Sequence, residues 1–252
     1  MPRSGAWGTS MRERSRVDRA AAYVLHAYPY SETSLLVEAF TRTHGRLPLL
    51  AKGARRPGSQ LRGTLLAFQP LSASWSGRGE VRTLVRCEWH GGQPLLAGER
   101  LLCGFYLNEL LLRLLPREDP HEQLFDHYVE AVAGLALRAE AGPLLRAFER
   151  RLLAELGYAL PLEHEAGADT PIEPDRLYRY DPEQGATPVV NAAGPDETLV
   201  VAGRILLEIA RDDYSAPATA QVAKQLMRLA IARRLDRQPL HSRTIFRELA
   251  NL

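Results

Sequence analysis

Residues 65–90 read LLAFQPLSASWSGRGEVRTLVRCEWH, and the period of the apolar side chains in this stretch is two. Leu71, Ala73 and Trp75 alternate with Ser72, Ser74 and Ser76, then Val81, Thr83, Val85, Cys87 and Trp89 alternate with Arg82, Leu84, Arg86, Glu88 and His90. Successive side chains of an extended chain point to opposite faces, so each run predicts a strand. Gly77-Arg78-Gly79-Glu80 between them predicts a hairpin turn. On this reading Trp75 and Trp89 point inward, and Arg82 shares a face with Arg86.

Upstream, AAYVLHAY (21–28), TSLLVEAFT (33–41) and RLPLLAKG (46–53) give three more strands, followed by a long connection around Gly53 to Gly63. Five short strands in one compact segment predict a small closed barrel of the OB type. After Gly98 the period lengthens to about 3.6, as in ERLLCGFYLNELLLRLL. Further helices are predicted over 121–140, 143–156 closed by Gly157, 197–210 and 219–236. The fold class is therefore α+β: an N-terminal five-stranded barrel, then a mainly helical body with a small irregular or β insertion. The expected division is a disordered basic leader over 1–20, the barrel over 21–92, helices over 98–157, the insertion over 158–195 and helices again over 196–252.

Charge is distributed unevenly. Residues 1–90 hold fourteen Lys and Arg against six Asp and Glu, whereas the remainder holds eighteen against twenty-four. A basic half attracts polyanions and an acidic half repels them, which assigns nucleic acid to the barrel end. The densest cluster is Arg42, Arg46, Lys52, Arg55, Arg56, Arg62, Arg78, Arg82 and Arg86, opposed between 42 and 86 by Glu80 alone. Neutralising phosphates with such side chains releases counterions and gives salt-sensitive, largely sequence-independent binding. The competing reading is a solvated basic face that serves solubility. Of the aromatic residues, Tyr28 and Tyr30 around Pro29 are the candidates for stacking on bases, and the others are assigned to the core.

A second cluster, Lys224, Arg228, Arg233, Arg234, Arg237, Arg243 and Arg247, marks a possible auxiliary site for DNA or an acidic peptide. Lys224 and Arg228 lie about 40° apart on a helix, but at about 100° per residue Arg233 falls on the opposite side. One continuous stripe is excluded.

Two cysteines, Cys87 and Cys103, form no Cys-x-x-Cys pair and read as reduced thiols. No apolar run is long enough to span a bilayer, and residues 1–22 lack a signal-peptide core, so a cytoplasmic location with no membrane partner is expected. Phosphate-binding, dinucleotide, nucleophile-elbow and zincin motifs are all absent, so no catalytic residues, cofactor or metal are expected.

The stretch SETSLLVEAFTRTHGRLPLLAKGARR (31–56), with AYVLHAYPY before it and SWSGRGEVRTL after it, resembles the N-terminal barrel of the bacterial RecO recombination mediators. The likeness continues through FYLNELLLRLL, RAFERRLLAELGYAL and RRLDRQPLHSR, almost to the C-terminus. The resemblance implies a non-enzymatic protein that binds single- and double-stranded DNA and anneals complementary strands. It further implies that, with the partner RecR, it helps load the recombinase RecA on DNA coated by single-stranded-DNA-binding protein, at the nucleoid. The family's basic surface falls on Lys52, Arg55 and Arg56, with Arg42, Arg46 and Arg78 beside them. Many relatives hold a four-cysteine zinc site after LGY, but residues 158–195 contain no cysteine, so the chain resembles the zinc-free branch. Leu160, Leu177, Tyr178 and Tyr180 are expected to hold that segment by packing. The acidic C-terminal tail of the single-strand-binding protein is an expected ligand of the helical body. An RNA-binding or translation-associated barrel is the alternative from another class.

Overall fold

The computed structural model describes residues 16–189 and 199–249. Five strands, β1 (Arg16–Tyr30), β2 (Ser34–Thr41), β3 (Gly45–Ala51), β4 (Leu71–Ser76) and β5 (Arg82–Trp89), close into a barrel in the order β1-β2-β3-β5-β4. A short helix, α1 (Gln60–Thr64), sits in the long connection between β3 and β4. Neighbouring strands are antiparallel except β3 and β5, which pair in parallel. This is the OB-type barrel that the alternation predicts.

The first strand begins at Arg16, so the last five residues assigned to the leader belong to the barrel; residues 1–15 lie outside the described residues. Inside the barrel Ala22, Val24, Val37, Ala39, Leu47, Leu49, Leu71, Ala73 and Trp75 pack together. The inward assignment of Trp75 holds, at 1% exposure, but Trp89 is 58% exposed and Val85 52%. For Val85 the reason is a register shift between Ser74 and Trp75, which pairs Ser74 with Arg86 and Trp75 with Leu84 and leaves Val85 without a partner across the ladder; Trp89 keeps its place opposite Leu71 and is exposed at the last position of β5. A bulge of this kind inverts the phase of the pleat. Leu84 thereby turns inward, and Arg82 and Arg86 meet different surroundings.

Behind the barrel stand α2 (Glu99–Leu114), α3 (Glu122–Ala136) and α4 (Ala141–Glu155). Gly157, at φ +82°, ends α4 as expected, and the Tyr158 amide closes the turn on the Leu153 carbonyl at 2.8 Å. The chain then forms a three-stranded sheet of β6 (Leu177–Asp181), β7 (Gly185–Pro188) and β8 (Leu199–Ala202), in the order β7-β6-β8. Helices α5 (Gly203–Ala210), α6 (Pro217–Arg234) and α7 (His241–Leu249) complete the body. Of the helix predicted over 197–210, residues 197 and 198 lie outside the described residues, Leu199–Ala202 is strand, where Val200 and Val201 favour extended backbone, and helix runs only from Gly203. Tyr178 and Tyr180 are buried in the sheet as expected, whereas Leu177 is exposed and takes no part in holding it.

Barrel and helices share a core. Tyr23, Leu25 and Phe40 face outward from the barrel into the same cluster as α2 and α3. Tyr23 and Phe40 meet the rings of Phe125 and Tyr128 at centroid distances of 5.2 to 5.9 Å. Within this joint, Asn108 donates to the Leu25 carbonyl at 2.8 Å and accepts from the Tyr128 hydroxyl at 2.6 Å. Gly45 is required there: its φ is +66°, and an added Cβ would fall 2.2 Å from the Asp119 carbonyl oxygen.

Candidate nucleic-acid interface

The nine basic residues of the barrel separate into two groups. Arg42, Arg46 and Arg82 lie at the joint with the helical body. Arg42 makes a fork to Asp126, two hydrogen bonds of 3.0 Å, and also pairs with Glu122. Arg46 donates to Glu38 at 3.0 Å and to the Leu115 carbonyl through both Nε and Nη2. Glu38, only 3% exposed, also accepts Arg117. Arg82 pairs with Glu118 at 2.9 Å. Charge-assisted bonds of this type occupy the guanidinium donors that a phosphate would use. These three arginines are engaged within the chain: carboxylates of α3 and of the α2–α3 connection hold Arg42 and Arg82. Glu38, on the adjacent strand β2 of the same barrel, holds Arg46.

The second group lies on the connection from β3 to α1. Lys52, Arg55, Arg56 and Arg62 are exposed. Ala54 is buried in the barrel core, and the Arg55 amide donates to the Thr33 carbonyl at 2.9 Å, so the connection is pinned at its middle while the charged side chains project. Arg55 Nη1 caps the Ser31 carbonyl at 3.0 Å. Lys52, Arg56 and Arg62 have no carboxylate within ion-pair distance among the described residues, and the sequence from Lys52 to Arg62 contains no acid. Arg78 is exposed on the β4–β5 turn, and Arg86 pairs with its neighbour Glu88. Tyr28 and Tyr30 are exposed, on β1 rather than in a loop, with the Tyr28 ring tilted 54° to that of His26 at a centroid distance of 4.3 Å.

The C-terminal cluster also divides, along the line that the helical geometry predicts. Arg233 forks onto Asp181 at 2.7 and 2.9 Å and holds its carboxyl down at about 2. Arg234 pairs with Glu183 at 2.9 Å and lies over the Tyr158 ring at 3.8 Å. Both tie the small sheet to α6. Lys224, Arg228, Arg237 and Arg243 instead line a groove of about 780 Å³ whose wall includes Ile231 and Phe246. Its floor holds Tyr106, which donates to buried Glu149 and receives Arg243 at 3.1 Å. Arg146 reaches Glu149 at 2.8 Å, yet its Nε and Glu149 Oε2 are buried without a hydrogen-bond partner. Burial pushes the Glu149 carboxyl above its ordinary pKa, against the pull of Arg146 and Tyr106. The Arg247 side chain lies outside the described residues.

Cys87 and Cys103 are both free thiols, and burial next to Glu88 pushes the Cys87 thiol up to about 11. No group of three or more His, Cys, Asp or Glu suited to a metal ion occurs among the described residues, and no helix there is long and apolar enough to cross a membrane.

A closed OB-type barrel with an exposed cationic connection, fused through a common core to a helical body with a basic groove, defines the class of the protein. Comparison with known proteins gives the particular family. Residues 15–92 match the family described as Recombination protein O N terminal, and residues 95–244 the one described as Recombination protein O C terminal. Over 245 residues the chain is 53% identical to a DNA repair protein RecO of Dechloromonas aromatica, covering 96% of this chain and all of that protein. It is 51% identical over 243 residues to a protein of the same name from Aromatoleum aromaticum, again with 96% of this chain and all of the relative covered. The chain belongs to the RecO family.

Proposed function

We propose that the protein is a DNA-binding recombination mediator of DNA repair that acts in the cytoplasm, at the nucleoid, without catalysis. The observation that carries this reading is the acid-free, exposed segment from Lys52 to Arg62, pinned to the barrel through Ala54. Two single strands held on one cationic surface meet at a high effective concentration, so annealing becomes intramolecular in effect. Arg78 extends the same charge to the β4–β5 turn. The groove lined by Lys224, Arg228 and Arg243 suits an acidic C-terminal tail, such as that of a single-stranded-DNA-binding protein: apolar walls take an aromatic side chain and the rim takes carboxylates. RecR is the expected partner in loading RecA.

The reading is tested by mixing two complementary oligonucleotides with the protein and following duplex formation without ATP or metal. Fast, salt-sensitive annealing is expected. An absence of both annealing and DNA binding would overturn it, and preference for an RNA oligomer over DNA of the same sequence would favour the RNA-binding alternative.

A further inference from the structure

β5 ends on Trp89, which keeps more than half of its surface in solvent although it is held rigidly. Its indole N–H donates to Gln69 Oε1 at 2.9 Å. Gln69 is itself 2% exposed, and with its oxygen committed to Trp89 its amide nitrogen is left buried without a partner. A buried unpaired donor costs free energy unless something accepts from it. Beside this pair is a cavity of about 230 Å³, lined by Gly63, Leu66, Gln69, Trp89, Gln93 and Leu95. Leu66 and Leu95 are exposed at its edges. None of the residues lining the cavity is acidic. Arg62 immediately precedes Gly63, so the cationic segment starting at Lys52 runs up to the cavity.

An immobilised indole with exposed apolar neighbours and adjoining cations matches a nucleotide: the base stacks on the ring and the phosphate meets arginine. An apolar peptide would leave the cations unused. We infer that this cavity is a stacking site for one unpaired base of single-stranded DNA, with Trp89 as the platform and Gln69 as the residue that positions it. The inference rests on the DNA-binding reading above and extends it: a duplex keeps its bases stacked on each other, so the site favours single strands.

The test compares a labelled oligo-dT with an abasic oligomer of the same length and charge, titrated into the wild type, Trp89→Ala and Trp89→Phe. Stacking of one base predicts about tenfold weaker binding of oligo-dT by Trp89→Ala, no change on the abasic strand, and recovery of most of the loss by Trp89→Phe. Equal losses on both strands, or none on either, would overturn the stacking site. Wild-type protein that binds both strands equally would remove the site while leaving phosphate binding intact, and wild-type protein that binds neither would remove the DNA-binding reading itself.

Discussion

Arg42 on the β2–β3 turn and Arg55 on the connection from β3 to α1 belong to one sequence cluster, yet the fold gives them different work. Around Arg42, Arg46 and Arg82 the helical body brings Glu118, Glu122 and Asp126 to the barrel, and Glu38 stands beneath. Around Arg55 no second element approaches with acid: its guanidinium caps a backbone carbonyl, and Lys52, Arg56 and Arg62 project into solvent. A cationic patch on a two-domain protein thus consists of what remains after the domains have been joined. At the joint the guanidinium groups meet carboxylates of the chain itself, whereas Lys52, Arg56 and Arg62 meet none among the described residues.

The largest expected effect breaks the joint. Glu38→Ala leaves Arg46, mostly buried, without its carboxylate, and loss of one partner of such a pair costs about 3 to 5 kcal/mol. Chemical denaturation should show that loss, while the folded fraction retains its affinity for DNA. The opposite pattern is expected of a Lys52→Glu, Arg55→Glu, Arg56→Glu variant. Oligonucleotide affinity should fall by about a hundredfold or more and the slope of log affinity against log salt should shrink by about 2 to 3, with Tm unchanged. A triple variant that melted early would place these residues in the joint group after all.

A smaller effect comes from the pair that ties the small sheet to α6. Hydrogen bonds from Arg233 hold Asp181 at about 2, below the ordinary carboxylate value of 3.8. A folded-state pKa below the unfolded one stabilises at pH above the unfolded value, and the contribution is lost as pH falls from about 4 towards 2. The unfolding free energy from urea denaturation should therefore drop over that window by about 1 kcal/mol more in the wild type than in Arg233→Ala. Arg42→Ala should have the smallest effect. Its fork to Asp126 lies in solvent, so Tm should barely move, and whatever shift appears at low salt should vanish at high salt.

Several features were legible along the chain because they depend on neighbours in sequence. Alternation in 71–76 marks β4 and its inward Trp75, the Gly-flanked turn marks the hairpin, and Gly157 marks the end of α4. The angular argument that separates Lys224 and Arg228 from Arg233 also needs only helical geometry, and the groove and the small sheet divide them accordingly. Leu84 and Val85 differ from the alternation because one register shift, between residues on two strands, inverts the pleat there, and Trp89 differs because the last residue of a strand is covered only if another element reaches it. α7 and the strand character of 199–202 escaped because short elements take their conformation from what they pack against.

By itself the sequence determined the barrel, the helical body, the basic polarity of the N-terminal half and the lack of cysteine in the insertion. Each of these follows from local periodicity, composition or residue identity. Tertiary structure decided which arginines remain exposed. An ion pair requires its two groups within a few ångströms, and Arg42 finds Asp126, and Arg82 finds Glu118, only when the helices close on the barrel. It also decided that Trp89, opposite buried Leu71 at the end of β5, stands in solvent beside an unpaired amide, since what covers the last residue of a strand is set by the elements around it and not by the strand's own sequence.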